Sequence, residues 1–154
     1  MIEWQWAEFG QLTAGDLYQV MKLRQQVFVV EQHCIYEDLD DLDEGAWHLI
    51  GWRVETGGSR TIGAYLRVLG PGVRYKEFSM GRIVVSQGAR GTGLGKELVA
   101  KGISLISEKL SGNAIRISAQ HHLEGFYSEY GFERISEPYD EDGILHIEML
   151  KGTY

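Results

Sequence analysis

Residues 84–95 read Val-Val-Ser-Gln-Gly-Ala-Arg-Gly-Thr-Gly-Leu-Gly, and no other stretch restricts the fold as much. A β-branched run ends in a glycine-rich turn, and directly after it Leu94, Leu98, Val99, Ile103, Leu105 and Ile106 recur at helical spacing. This pattern predicts a strand, a tight loop and a helix over 92–110, stopped by Ser111-Gly112-Asn113. Gly91, Gly93 and Gly95 have no Cβ, so the loop backbone can approach a phosphate, and the first helical turn leaves N–H donors unpaired. The same residues also suit a plain strand-to-helix turn, so the rest of the chain must decide.

Beyond the helix, the apolar segment 114–119 reads as another strand. A strand, helix and strand in succession require the two strands to lie parallel if they share a sheet. Upstream, residues 3–9 alternate with Trp4 and Trp6 on one side, and Thr13 followed by Asp16 resembles a helix start. Leu17, Val20, Met21, Arg24, Val27 and Phe28 extend that helix over about 14–30, its apolar face packing in a core. Segments 47–55 and 60–69 form a hairpin across Thr56-Gly57-Gly58-Ser59, and 75–85 is a fourth strand feeding the glycine loop. A helix over 122–130, a strand starting at 132–135, a polar turn over 137–143 and a closing strand at 144–150 complete the order.

A chain of 154 residues, 44% hydrophobic with four Trp, eight Tyr and five Phe, fits one domain, 1–154, with a core of its own. The net charge of −7 argues against a nucleic-acid or anionic-membrane partner, which needs a basic surface; an anionic ligand must be held by local donors. One cysteine, Cys34, excludes an intrachain disulfide and a Cys-rich zinc site, and no His, Asp or Glu cluster has metal spacing. The start Met1-Ile2-Glu3-Trp4-Gln5-Trp6 has no leader pattern, and no run of about eighteen apolar residues occurs, so a cytoplasmic location is expected.

Segment 31–44 holds Glu31, Glu37, Asp38, Asp40, Asp41, Asp43 and Glu44 beside His33, Cys34 and Tyr36. It reads either as a solvated acidic loop or as a cleft wall that favours a cationic substrate. Its spacing does not complete a calcium loop.

The loop itself lacks the Gly-Lys-Ser/Thr ending of a P-loop, since Lys96 precedes Glu97, and it does not follow the first strand as a dinucleotide loop would. Arg90, Gly93 and Gly95 meet the pattern Arg/Gln-x-x-Gly-x-Gly/Ala, which resembles the acetyl-CoA loop of the Gcn5-related N-acetyltransferase (GNAT) superfamily. Downstream, Gly125-Phe126-Tyr127-Ser128-Glu129-Tyr130-Gly131-Phe132 is similar to that superfamily's Tyr-x-x-x-Gly-Phe segment. Arg24, Val27 to Gln32, Cys34, Tyr36, Asp40, Asp43 and His48 to Gly51 resemble its ElaA-like branch.

The resemblance implies an α/β GNAT fold, a mixed twisted sheet of about seven strands with helices on both faces. It implies that the backbone of Arg90, Gly91, Thr92, Gly93, Leu94, Gly95 and Lys96 cradles the pyrophosphate of acetyl-CoA. Ile83, Val84 and Val85 would pair with the pantetheine, and Gln120 would also touch the cosubstrate. Direct transfer to an amine acceptor follows, with Tyr127 protonating the leaving sulfur and the Val85 N–H facing the carbonyl. The plainer reading of Tyr127 is an aromatic packed on the sheet. Glu31, His33 and Cys34 are the candidates for acceptor binding. The base stays open: Ser79 stands where some members place a glutamate, leaving Glu77, Glu31, His33 or His121, although His121 and His122 also suit a helix start. Cys34 reads as a buried thiol rather than a nucleophile. Another acyl-CoA donor, or a non-catalytic acetyl-CoA-binding module, would suit the same loop. Edge strands near the C-terminus could pair two subunits into a homodimer.

Overall fold

The structure is a computed structural model and describes residues 1–152. Its strands are β1 (Ile2–Glu8), β2 (Trp47–Val54), β3 (Arg60–Leu69), β4 (Phe78–Val85), β5 (Ile115–Gln120), β6 (Glu133–Arg134), β7 (Tyr139–Glu141) and β8 (Ile144–Lys151). Helices are α1 (Ala14–Arg24), α2 (Leu94–Leu110) and α3 (Glu124–Ser128). The strands form one mixed sheet in the order β1-β2-β3-β4-β5-β8-β6, with β7 also on β8. Among the described residues the sheet has eight strands, against about seven expected.

Alternation along the strands divides the core between the two faces. Leu49, Leu66, Met80, Ile117, Ile147 and Met149 meet Leu98, Val99 and Ile106 of α2 on one face. Ile50, Trp52, Tyr65 and Val84 meet Val20, Leu23 and Val27 on the other. Gly102 lets α2 sit close to the sheet, because a Cβ there would lie 2.9 Å from Leu66 Cδ2.

α1 begins where expected, with Thr13 Oγ1 accepting from the Asp16 N–H at 3.0 Å. At Gln25 it widens into a π-helical stretch, Gln25–Glu31. The four consecutive residues Val27, Phe28, Val29 and Val30 crowd an α-helical turn.

Two irregularities open the sheet. Between β3 and β4 the register slips so that Tyr65 faces Val84 while Arg67 faces Gly81, and Arg82 has φ of 50°. This bulge bends β4. The parallel β4–β5 joint holds only at Phe78↔Ile115 and Ser79↔Arg116, after which the strands part.

Several boundaries differ from expectation. The fourth strand starts at Phe78, not 75, and the helix over 122–130 is a turn, His121–Leu123, followed by the short α3. The segment 137–143, read as a polar turn, contains β7, which returns into β8 through Asp142 and Gly143 at φ of 53° and 84°. Two successive positive φ values make a tight hairpin turn.

Candidate active site

Where β4 and β5 part, a cavity of about 380 Å³ opens, walled by β4, β5, β8, the 32–40 loop and α3. Of the candidate site residues read from the sequence, Ile83, Cys34, Gln120 and Tyr127 line it, together with Tyr36, Glu37 and Asp40 of the acidic segment and Ser79 of β4. Tyr127 is packed edge-on against Phe126 and Phe132, at ring distances of 5.1 and 6.0 Å. Its hydroxyl bonds to no described residue, and burial alone pushes its pKa up to about 12. The ring packs as a core aromatic while its edge reaches the cavity, so both readings of this side chain hold geometrically.

The glycine loop lies further along β4. A short turn, Gln87–Ala89, leads to Gly91 and Gly93 at φ of 76° and 84°, and Gly93 caps α2. From Gly91 to Lys96 no backbone N–H has a partner among the described residues; the first to be satisfied is Glu97, which donates to the Gly93 carbonyl. This open run of donors at a helix N-terminus fits a diphosphate. Both positive-φ glycines have open space where a Cβ would stand, so conformation rather than crowding demands glycine there. A Cβ at Gly95 would meet Val85 Cγ2 at an ordinary 3.6 Å.

Val84 is buried toward α1, so only its backbone is available to a ligand. The Ser86 N–H donates to the Gly63 carbonyl on β3 at 2.8 Å. By alternation the Val85 N–H points the other way, into the gap beside β5.

The remaining candidates lie apart from the cavity. Glu31 is exposed and accepts from both Nη atoms of Arg90, at 2.6 and 2.9 Å, which ties the end of the π-helical stretch to the glycine loop. That contact holds the Glu31 carboxyl below its usual range. His33 is exposed, with φ of 55°. Lys96 extends outward toward Glu129, at 4.0 Å. Of the candidate bases, Glu77 is buried outside the cavity with Oε1 3.8 Å from Arg116, and His121 sits in the turn before α3.

The acidic segment is divided: Glu37, Asp41 and Glu44 are exposed, and Glu37 and Asp40 line the cavity. Asp38, Asp40 and Asp43 are consumed by three arginines. Arg24, fully buried, donates from Nε to Asp38 at 2.8 Å and from Nη1 to Asp43 at 2.6 Å. Arg67 grips both oxygens of Asp40, at 2.7 and 2.8 Å, and Arg82 meets Asp38 at 2.7 Å. Burial would raise the Asp40 and Asp43 carboxyls, but these arginines outweigh it and hold both below the usual carboxylate range. Beneath them His48 lies 2.9 Å from the Asp43 carbonyl through Nε2 and 2.7 Å from Tyr65 Oη through Nδ1. A carbonyl only accepts, so Nε2 carries the hydrogen and Tyr65 donates to Nδ1. Burial pushes the His48 pKa down, leaving the ring neutral.

A second polar group was not read from the sequence. Ser118 and Tyr139 share a hydrogen bond, and His146 packs on Tyr139 beside Glu141. The signal was present: polar residues at alternate positions of β5 and β8 (Arg116, Ser118, Gln120; His146, Glu148) lie on one face. Among the described residues no group of His, Cys, Asp and Glu is placed to hold a metal ion, and no helix is long and apolar enough to cross a membrane.

A mixed sheet that splays at a parallel joint, beside a donor-rich turn at a helix N-terminus, defines the acyl-CoA N-acyltransferase fold. The chain belongs to the GNAT acetyltransferase family, whose domain profile matches residues 26–152. It is 41% identical over 149 residues to a UPF0039 protein of Synechocystis, covering 97% of this chain and 94% of the relative. A solved acyl-CoA N-acyltransferase from Pseudomonas aeruginosa superposes with a TM-score of 0.91 at 37% identity, covering 99% of this chain and 100% of the other. Escherichia coli ElaA superposes at 0.89 and 35% identity, covering 98% and 99%.

Proposed function

We propose that the protein transfers the acetyl group of acetyl-CoA directly to an amine, with residues 1–154 acting as one domain in the cytoplasm. The observation that carries this reading is the unbroken run of unpaired N–H groups from Gly91 to Lys96 at the start of α2. These donors hold the pyrophosphate without a basic surface, in keeping with the net charge of −7. The backbone of Ile83 to Val85 lies along the unpaired edge of β4, where pantetheine fits as an added strand. The name of the Pseudomonas relative supports an acyl-CoA donor.

Acetyl-CoA supplies an activated thioester carbonyl. The Val85 N–H, aimed into the gap, takes the charge that develops on its oxygen. Tyr127, protonated throughout the physiological range, gives its proton to the leaving sulfur. Because Asp38, Asp40 and Asp43 are neutralised internally, they do not select the acceptor.

Calorimetry with acetyl-CoA, followed by a panel of polyamines, aminoglycosides, amino acids and peptide N-termini read by CoA release, tests the reading. Binding with turnover of an amine is expected. Binding without turnover of any would leave a sensing module, and no binding would remove the reading altogether.

A further inference from the structure

In the cavity, the β5–β8–β7 wall carries an imidazole that the transfer steps above do not use. His146 is 9% exposed and sits directly across from Gln120 in the β5–β8 ladder. Its Nδ1 lies 2.8 Å from the Ile144 carbonyl, which can only accept, so Nδ1 carries a hydrogen and Nε2 is the nitrogen free to take a proton. Nε2 stands 3.3 Å from Glu141 Oε2, so a proton arriving there has a carboxylate beside it. Tyr139 stacks on the ring at 6.2 Å, and Ser118 fixes the Tyr139 hydroxyl. From the β3–β4 connection, Arg74 approaches the other oxygen of Glu141 at 3.5 Å. Cys34 closes the opposite side, its S–H reaching the Asp142 carbonyl at 3.4 Å. Among the described residues lining the cavity, His146 is the one imidazole.

We propose that His146, backed by Glu141, is the general base that takes the proton of the acceptor ammonium. This rests on the amine-transfer reading above. The ammonium gives one proton to His146 Nε2, and the neutral amine nitrogen attacks the thioester carbon. The C–N bond forms, the C–S bond breaks, and the sulfur takes the proton of Tyr127. A second proton from the nitrogen restores Tyr127, and His146 releases its proton to solvent along the half-exposed Glu141. One amide, one thiol and one proton result from one ammonium and one thioester.

The test is the pH dependence of kcat/KM with the amine that the panel identifies, alongside CoA affinity. His146→Gln is expected to lower kcat/KM by roughly 10²–10³-fold, abolish the acidic limb and leave CoA affinity unchanged. His146→Ala should regain activity with added imidazole, in proportion to its free-base fraction, which a structural role would not produce. Glu141→Gln provides a second route should the His146 variants fold poorly: kcat/KM should fall while CoA affinity holds, since the carboxylate beside Nε2 is gone. An active wild type whose folded His146→Gln form keeps its rate and its acidic limb would overturn the base assignment alone. A wild type that turns over no amine would overturn both it and the transfer reading.

Discussion

Tyr127 combines two properties that rarely coincide: a ring 5% exposed within the core and a hydroxyl without a partner at a cavity wall. Burial keeps that hydroxyl protonated to about pH 12, so it should contribute no alkaline limb to the rate below about pH 11. Tyr127→Phe removes the proton and keeps the packing, so kcat should fall roughly 10²–10⁴-fold while acetyl-CoA affinity by calorimetry holds. Equal kcat at every pH would return Tyr127 to a purely structural role. Asp43 offers a different test, because it faces Arg24 and Arg67 together. Asp43→Asn should cost about 3–5 kcal/mol in urea unfolding, since it strands buried guanidinium charge. Tyr127 was legible in the sequence because it stands in a contiguous motif. The partners of Arg24 were not, because Asp38 and Asp43 lie 14 and 19 residues away and no local pattern links them. Acid residues crowded in a segment read as an exposed face, and only three dimensions supply the arginines.

At the scale of elements, the strand, glycine loop and helix came through from sequence nearly intact because each is announced by its own chemistry. The β-branched run, the positive-φ glycines and the helical spacing of Leu94, Leu98 and Val99 agree with one another. β7 was missed for the converse reason: three residues are too few to show alternation, and Tyr139–Glu141 pairs only because Asp142-Gly143 turns it onto β8. Gly93 lets the element argument be tested apart from chemistry. Gly93→Ala places a Cβ at φ of 84°, which should cost about 1–2 kcal/mol of stability. Gly93→Asp adds to that strain a carboxylate beside the proposed phosphates, and acetyl-CoA affinity should fall well beyond the alanine variant. Affinities that match between the two would show that charge at this loop is irrelevant to the ligand.

For the whole molecule, the bulge at Arg82 and the short β4–β5 joint separate a fully paired half of the sheet from a half that opens as a cavity. The buried network stands at that boundary: Arg24 from α1, Arg67 from β3 and Arg82 from β4 converge on the 38–43 loop. Acid should therefore loosen the site and the fold together. His48 has its pKa lowered from 6.5 by burial, so the unfolded chain takes that proton first; the associated stability is complete above about pH 6.5 and falls as pH drops. Asp40 and Asp43 are lowered from 3.8, so their contribution persists until the pH approaches that value and is lost below it. Urea midpoints measured from about pH 8 to 3 should decline gently below 6.5 and steeply below about 4. His48→Gln keeps a donor for the Asp43 carbonyl and cannot titrate, so it should flatten the gentle segment and spare the steep one. If the gentle decline survives in that variant, the proton is taken up elsewhere, and the neutral His48 bridge between Tyr65 and the loop does not govern the acid response.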